Sequence, residues 1–242
     1  MYMPRHFSWT DLARIGSFVD AAQSAHLVTF DGIRPVATLL PVIWDRPDRP
    51  DRPDRPDRPD RPDRNGSESA GEPNPESYGR LLGHVAIANT QWQTAAAGAE
   101  ALAIVSGPEA YISPSWYEAK ARHGRVVPTW NYEVVHLTGQ VTFHQDSEWL
   151  RALVTRLTRR HEGVREHPWA VTDAPPDYID GQLRAIVGVE LAISSVEAKQ
   201  KLSQNRSELD REGVVAGLRA EPGDGNEAVA DLMTAQLAAD GG

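Results

Sequence analysis

Between Val134 and His144 the chain alternates with a period of two. Val135, Leu137, Gly139, Val141 and Phe143 fall on one face, and Val134, His136, Thr138, Gln140, Thr142 and His144 on the other. Such a pattern predicts a long strand whose apolar face meets a core while the other stays largely wet. An antiparallel sheet is the structure that uses strands this way. Ala25 to Phe30 and Pro35 to Trp44 read as two strands joined by a tight Asp31-Gly32 turn. Further strands are expected at Leu81–Ile87, at Glu100–Ser106 with a turn at Gly107-Pro108, and last at Ile186–Val196. Helices fit around them. Ser8 is expected to cap one with Asp11 in its first turn, Asp146-Ser147 opens another with Leu150, Leu153 and Leu157 inward, and Ser207-Glu208-Leu209-Asp210 opens a third. Val229, Leu232, Met233 and Leu237 mark a terminal one. The fold class expected is mainly β with peripheral helices.

One tract breaks the pattern. From Asp45 to Arg64 the chain repeats Asp-Arg-Pro six times and ends Asp-Arg, which suits neither helix nor strand. Proline at every third position favours polyproline II, and the extended tract would reach roughly 60 Å. It reads as a disordered insertion at 45–77 within a hairpin loop, solvated rather than docked. Its acidic and basic residues cancel, so the formal net charge of −9 belongs to the rest of the chain. A chain this acidic has no generally basic surface for nucleic acid, and DNA is expected only through a local patch. The 242 residues contain no cysteine, which excludes thiolate metal sites and thiol catalysis and fits a cytoplasmic protein. No apolar run suggests a leader or membrane span.

The stretches richest in chemistry are Ala110–Tyr117 and Val127–Tyr132, where Ser113, Ser115, Trp116, Thr129, Trp130 and Asn131 set hydroxyls, an amide and aromatic faces beside prolines. That composition suits a flat ligand with a polar edge, and equally a packed turn at a barrel end. Asn89, Gln91 and Trp92 stand at a strand end entering a short helix, where amides can receive a phosphate or Asn89 can simply cap. Lys199 to Arg206, with Lys201, Ser203, Gln204 and Asn205, is dense in cations and amides, and equally reads as a polar strand exit. His84 lies on a mostly apolar strand face. His136 and His144 are too far apart for one metal site, so no metal is expected. The last two helices imitate a helix-turn-helix, but their turn is long and the second helix is acidic.

Five ordered blocks together resemble the PaiB-type FMN-binding family, often labelled negative transcriptional regulators. They are Met1–Phe7, Gly83-His84-Val85-Ala86 with Asn89, Gln91 and Trp92, Tyr111–Tyr117, Val127–Tyr132 and Lys201–Arg206. The resemblance implies an FMN-binding split β-barrel over residues 1–206, and a homodimer with FMN held at the subunit interface. Residues 207–242 then form a helical extension on the barrel or the partner. His84, Asn89, Gln91 and Lys201 to Asn205 become candidates for phosphate, ribityl and proton contacts. Trp92, Trp116 or Trp130 are candidates for the ring face, and Ser113, Ser115, Thr129 and Asn131 for its polar edge. Leu39 and Thr90 depart from the family, which usually has His and Pro there. A regulator is the first function implied, and a flavin-dependent oxidoreductase or flavin reductase with a nicotinamide donor the alternative.

Overall fold

Alternation in the sequence becomes a closed succession of strands. The computed structural model describes residues 1–47, 78–96 and 98–240. Its strands are β1 (Ser8–Trp9), β2 (Ser24–Phe30), β3 (Pro35–Asp45), β4 (Arg80–Ala86), β5 (Glu100–Ile112), β6 (Thr129–His144) and β7 (Ile186–Lys201). They run in the order β1-β7-β4-β3-β2-β5-β6, and β6 also pairs with β7, so the six longer strands close on themselves. Closure leaves those strands without a free edge. The helices are α1 (Leu12–Ala22), α2 (Gln91–Thr94), α3 (Glu118–His123), α4 (Ser147–Glu162), α5 (Pro176–Leu183), α6 (Glu208–Ala220) and α7 (Asn226–Asp240). This is the mainly β fold with peripheral helices that the alternation predicts.

The chain divides into two compact units, one of Met1–Ala22, Val105–His136 and Glu197–Gly242, the other of Gln23–Ile104 and Leu137–Val196. In the second, β2 and β3 pair from Ser24↔Pro41 to Phe30↔Pro35. Asp31 Oδ1 holds their turn by accepting from Ile33 N and Arg34 N at 2.8 Å, and Gly32 takes φ +93°, which a Cβ would disfavour. β3 and β4 pair as far as Asp45↔Arg80, so the repeat tract connects adjacent antiparallel strands. The disorder expected for 45–77 falls mostly on 48–77, outside the described residues. Strand β4 is covered on one side by α4, where Leu82 and Ile43 meet Leu153 and Leu157. Each such burial contributes about 1.5–3 kcal/mol. Helix α4 begins as expected, with Asp146 Oδ1 accepting from Trp149 N at 2.8 Å. Its basic last turn, Arg159, Arg160 and His161, complements the helix dipole.

In the first unit, α6 and α7 bury Val214, Leu218, Val229 and Met233 against Ala110, Ile112, Tyr117 and Leu202. Three local expectations change here. Ser8 does not cap a helix: Asp11 does, with Oδ1 accepting from Ala13 N (3.0 Å) and Arg14 N (3.1 Å), because a carboxylate binds two amides better than a hydroxyl. Ser8 and Trp9 instead pair with Lys199 and Ala198, which carries β7 past Val196 to Lys201. The Gly107-Pro108 turn is absent, since β5 runs straight through it. Proline's fixed φ is compatible with extended backbone wherever no ladder donor is required, and Gly107 lets Phe18 and Glu133 approach where a side chain would collide.

Gly139 on β6 has no room for a side chain, because a Cβ there would land on the Ala192 carbonyl of β7. Gly139→Ala is expected to cost about 3 kcal/mol or more, since the neighbour is backbone and cannot rotate away. Urea unfolding, with the midpoint compared at constant slope, measures this.

Candidate functional site

In the first unit, the start of β6 lies beside the end of β7. The Lys201 ammonium donates to Thr129 Oγ1 at 2.6 Å and to the Trp130 carbonyl. Both acceptors are neutral. Burial pushes the Lys201 pKa below its ordinary value, and nearby Lys199 and Arg206 push it the same way. Lys199 is buried, donates to the Tyr2 carbonyl at 3.3 Å, and stands 5.4 Å over the Tyr132 ring. Arg206 stacks on Tyr117, with its guanidinium carbon 4.8 Å from the ring centroid. Among the described residues these three cations form no ion pair. The buried carboxyl nearby in sequence, Glu133, is bonded to Gln200 and its pKa is raised by burial.

Trp130 is half exposed and meets the equally exposed Tyr111 edge to face, with centroids 6.2 Å apart. An aromatic wall and a desolvated cation thus share one stretch of β6. Asn131, one residue on, points the other way. It is wholly buried, exchanges hydrogen bonds with Ser203 Oγ (3.1 and 3.2 Å), and touches Met233 Sδ of α7 at 3.3 Å. Ser203 takes φ +63°, turning the chain out of β7. Gln204 secures that turn, accepting from Leu202 N at 2.8 Å and donating to Gln200 O at 2.6 Å, and Asn205 is exposed.

The Ser113–Trp116 stretch has its polar groups engaged locally. Ser113 Oγ accepts from Ser115 N at 3.2 Å, and Ser115 Oγ accepts from Lys120 Nζ at 3.0 Å. Trp116 lies on α6, where Gly213 and Gly217 leave room for it, and its indole donates to Glu221 at 3.2 Å. One face of that indole is therefore taken by the helix.

The remaining candidates sit in the second unit. Asn89 Oδ1 accepts from Gln91 N at 3.0 Å and its amide donates to Thr38 at 2.9 Å, which is the capping arrangement. Gln91 is buried and donates to Leu27 O, Thr29 Oγ1 and Val36 O, each at 3.1 Å, tying β2 to β3. Trp92 donates to Ile87 O at 2.9 Å. Helix α2 has only four residues, too few for an appreciable dipole. His84 has a buried Nδ1 with no hydrogen-bond partner among the described residues, and burial lowers its pKa. Leu39, where a His was expected of the family, is exposed on β3. No cluster of metal-binding side chains occurs among the described residues.

FMN requires donors for a dianionic phosphate and an apolar or aromatic wall for its ring. Three cations without carboxylate partners among the described residues, one of them bonded to the carbonyl of Trp130 in the Tyr111–Trp130 pair, are a donor set that fits it. Lys199, Arg206 and Tyr111 lie inside stretches that the sequence singled out, though none of the three was named there as a contact residue. The signal for Lys199 was its spacing of two from Lys201, which places both on one strand face once β7 is known to continue.

The closed strand order with peripheral helices is that of a split-barrel fold. A sequence model of the family described as "Putative FMN-binding domain" matches residues 1–195. The chain is 30% identical over 237 residues, 98% of each chain, to "Protease synthase and sporulation protein PAI 2" of Bacillus subtilis. It is 37% identical over 146 residues to an uncharacterized protein of Aspergillus fumigatus, covering 54% of this chain and 56% of that one. Among solved structures, the FAD and heme binding protein from Mycobacterium smegmatis aligns with a TM-score of 0.52 at 15% identity, covering 90% of this chain and 82% of that one. A conserved hypothetical protein from Mycobacterium tuberculosis aligns at 0.50 and 12%, covering 83% and 90%. The chain belongs to the PaiB-type FMN-binding family, and FMN is its cofactor. No helix among the described residues is long and apolar enough to cross a membrane.

Two pH effects follow for the flavin-free protein. His84 has a folded pKa below its ordinary 6.5, so the unfolded chain binds more protons in that window. Stability is expected to fall as pH drops from 6.5, and His84→Leu to flatten that limb. Lys201 has a folded pKa below 10.5, so stability is expected to rise with pH across its own window, and Lys201→Met to remove the rise. Thermal unfolding followed by circular dichroism across pH reads both.

Proposed function

We propose that the chain is an FMN-dependent regulator acting as a homodimer, with Lys199, Lys201 and Arg206 receiving the FMN phosphate. The observation that carries this reading is the partly buried Lys201 ammonium, hydrogen-bonded among the described residues only to neutral oxygens and flanked by two further cations. A dianion there relieves the mutual repulsion of the three and restores the charge that burial opposes. Thr129 orients the ammonium, and Trp130 with Tyr111 presents the wall for the ring. When bound, FMN supplies reversible electron transfer. Asn89 and Gln91 hold the ends of β2, β3 and α2 together in this reading, so the phosphate falls to the β7 end rather than to α2.

Regulation needs a part that senses the site. Asn131 follows Trp130 directly and touches Ser203 and Met233, so a ligand at Thr129–Trp130 is two bonds of contact from α7. The regulator reading also agrees with the sporulation role in the name of the Bacillus subtilis relative. Self-association is supported by the outward face of the β2–β3 hairpin, where Phe30 and Leu39 are more than half exposed and Val28 and Ala37 stand opposite each other. A net charge of −9 makes direct DNA contact the work of a local patch such as this cation group, or of a partner protein.

The test is a comparison of FMN with riboflavin, which lacks the phosphate, by flavin fluorescence quenching. FMN is expected to bind at least about tenfold tighter, and Lys201→Gln with Arg206→Gln to weaken FMN by roughly 10- to 100-fold while leaving riboflavin nearly unchanged. Equal binding of the two flavins defeats the phosphate assignment. Anaerobic bleaching of the bound flavin by NADH or NADPH replaces the regulator by a flavin reductase.

A further inference from the structure

Helix α4 carries Arg151, Thr155, Thr158 and Arg159 at positions i, i+4, i+7 and i+8, which share one face. With the turn at Ala170–Thr172 and the start of α5, that face lines a cleft of about 250 Å³. Its floor is apolar: Val171 and Ile179 are buried, with Ala174 and Pro176 beside them. The polar side chains lining it are two arginines and three threonines, with no carboxylate among them. Two carboxylates adjacent in sequence are already bonded. Asp180 bonds Arg151, and Asp173 Oδ2 accepts from Ala170 N at 2.9 Å. Arg159 forms no ion pair among the described residues.

We propose that this cleft binds a small monocarboxylate with an apolar ring or short chain. The carboxylate sits on Arg159 and the hydroxyls of Thr158 and Thr172, and the body on Val171 and Ile179. The Arg159 guanidinium, without an ion pair among the described residues, provides one bidentate fork, matched to a carboxylate, whereas a phosphate dianion asks for more positive charge than the cleft offers. The volume lies below the roughly 300–1,000 Å³ of sites for drug-sized ligands, which limits the occupant to about ten non-hydrogen atoms. The site lies wholly within residues 151–179 and does not rest on the flavin reading.

The experiment titrates sodium benzoate into the full-length protein at constant ionic strength, with benzyl alcohol as the neutral isostere, following the Val171 and Ile179 methyl resonances. Benzoate is expected to saturate these shifts and to bind at least about tenfold tighter than the alcohol. Arg159→Gln, an exposed substitution, is expected to bring benzoate down to the level of the alcohol and leave the alcohol unchanged. Ala174→Phe, which fills the cleft, is expected to abolish both. Equal affinity for the two probes, no saturation by benzoate below about 10 mM, or an unchanged benzoate affinity in Arg159→Gln each overturns the proposal.

Discussion

The fold depends on the contact between β6 and β7. These two strands close the sheet, and at Gly139 their backbones come so near that only hydrogen fits between them and Ala192. The six longer strands are each held on both sides, so their register cannot slip without turning an apolar face outward. The same pair of strands carries Thr129, Trp130 and Asn131 at one end of β6, and Lys199 and Lys201 at one end of β7. The site candidates are thereby placed by the strands that close the fold.

That placement sets an electrostatic cost. A lysine ammonium partly removed from water, next to another lysine and an arginine, raises the free energy of the empty protein. Aromatic rings at Phe7, Tyr117 and Tyr132 offset part of it through their faces. Glu133, which lies on β6 itself, forms no ion pair with the group among the described residues; its oxygen accepts from Gln200, and burial raises its pKa. An arrangement that withholds its own counter-charge is disposed to take one from a ligand. This is the physical sense in which the β7 end, rather than the short helix α2, suits a phosphate.

The aromatic and hydroxyl residues of the two Pro-containing stretches divide between two tasks. Trp130 and Tyr111 remain open, whereas Trp116 rests on Gly213 and Gly217 of α6, and Ser113 and Ser115 brace their own turn. Asn131 and Ser203 are enclosed with Met233. Residue type alone could not separate these, because a tryptophan that walls a ligand and one that anchors a helix have the same composition and neighbours. Only the seats left by Gly213 and Gly217, a hundred residues away, distinguish them.

What the sequence determined by itself was whatever depends on near neighbours. Period-two alternation set the strands, Asp31-Gly32 the hairpin turn, and Asp146 and Ser207 the starts of α4 and α6, each through contacts within a few residues. Five ordered blocks were enough to place the family. Tertiary structure decided what depends on distant partners: that Ser8 joins β7 instead of capping α1, that Gly107-Pro108 stays extended, and that Gln91 ties strands together. It also decided that Lys199 and Arg206 stand with Lys201. Desolvation, and the absence of a counter-ion among the described residues, are properties of a three-dimensional neighbourhood that no spacing along the chain encodes.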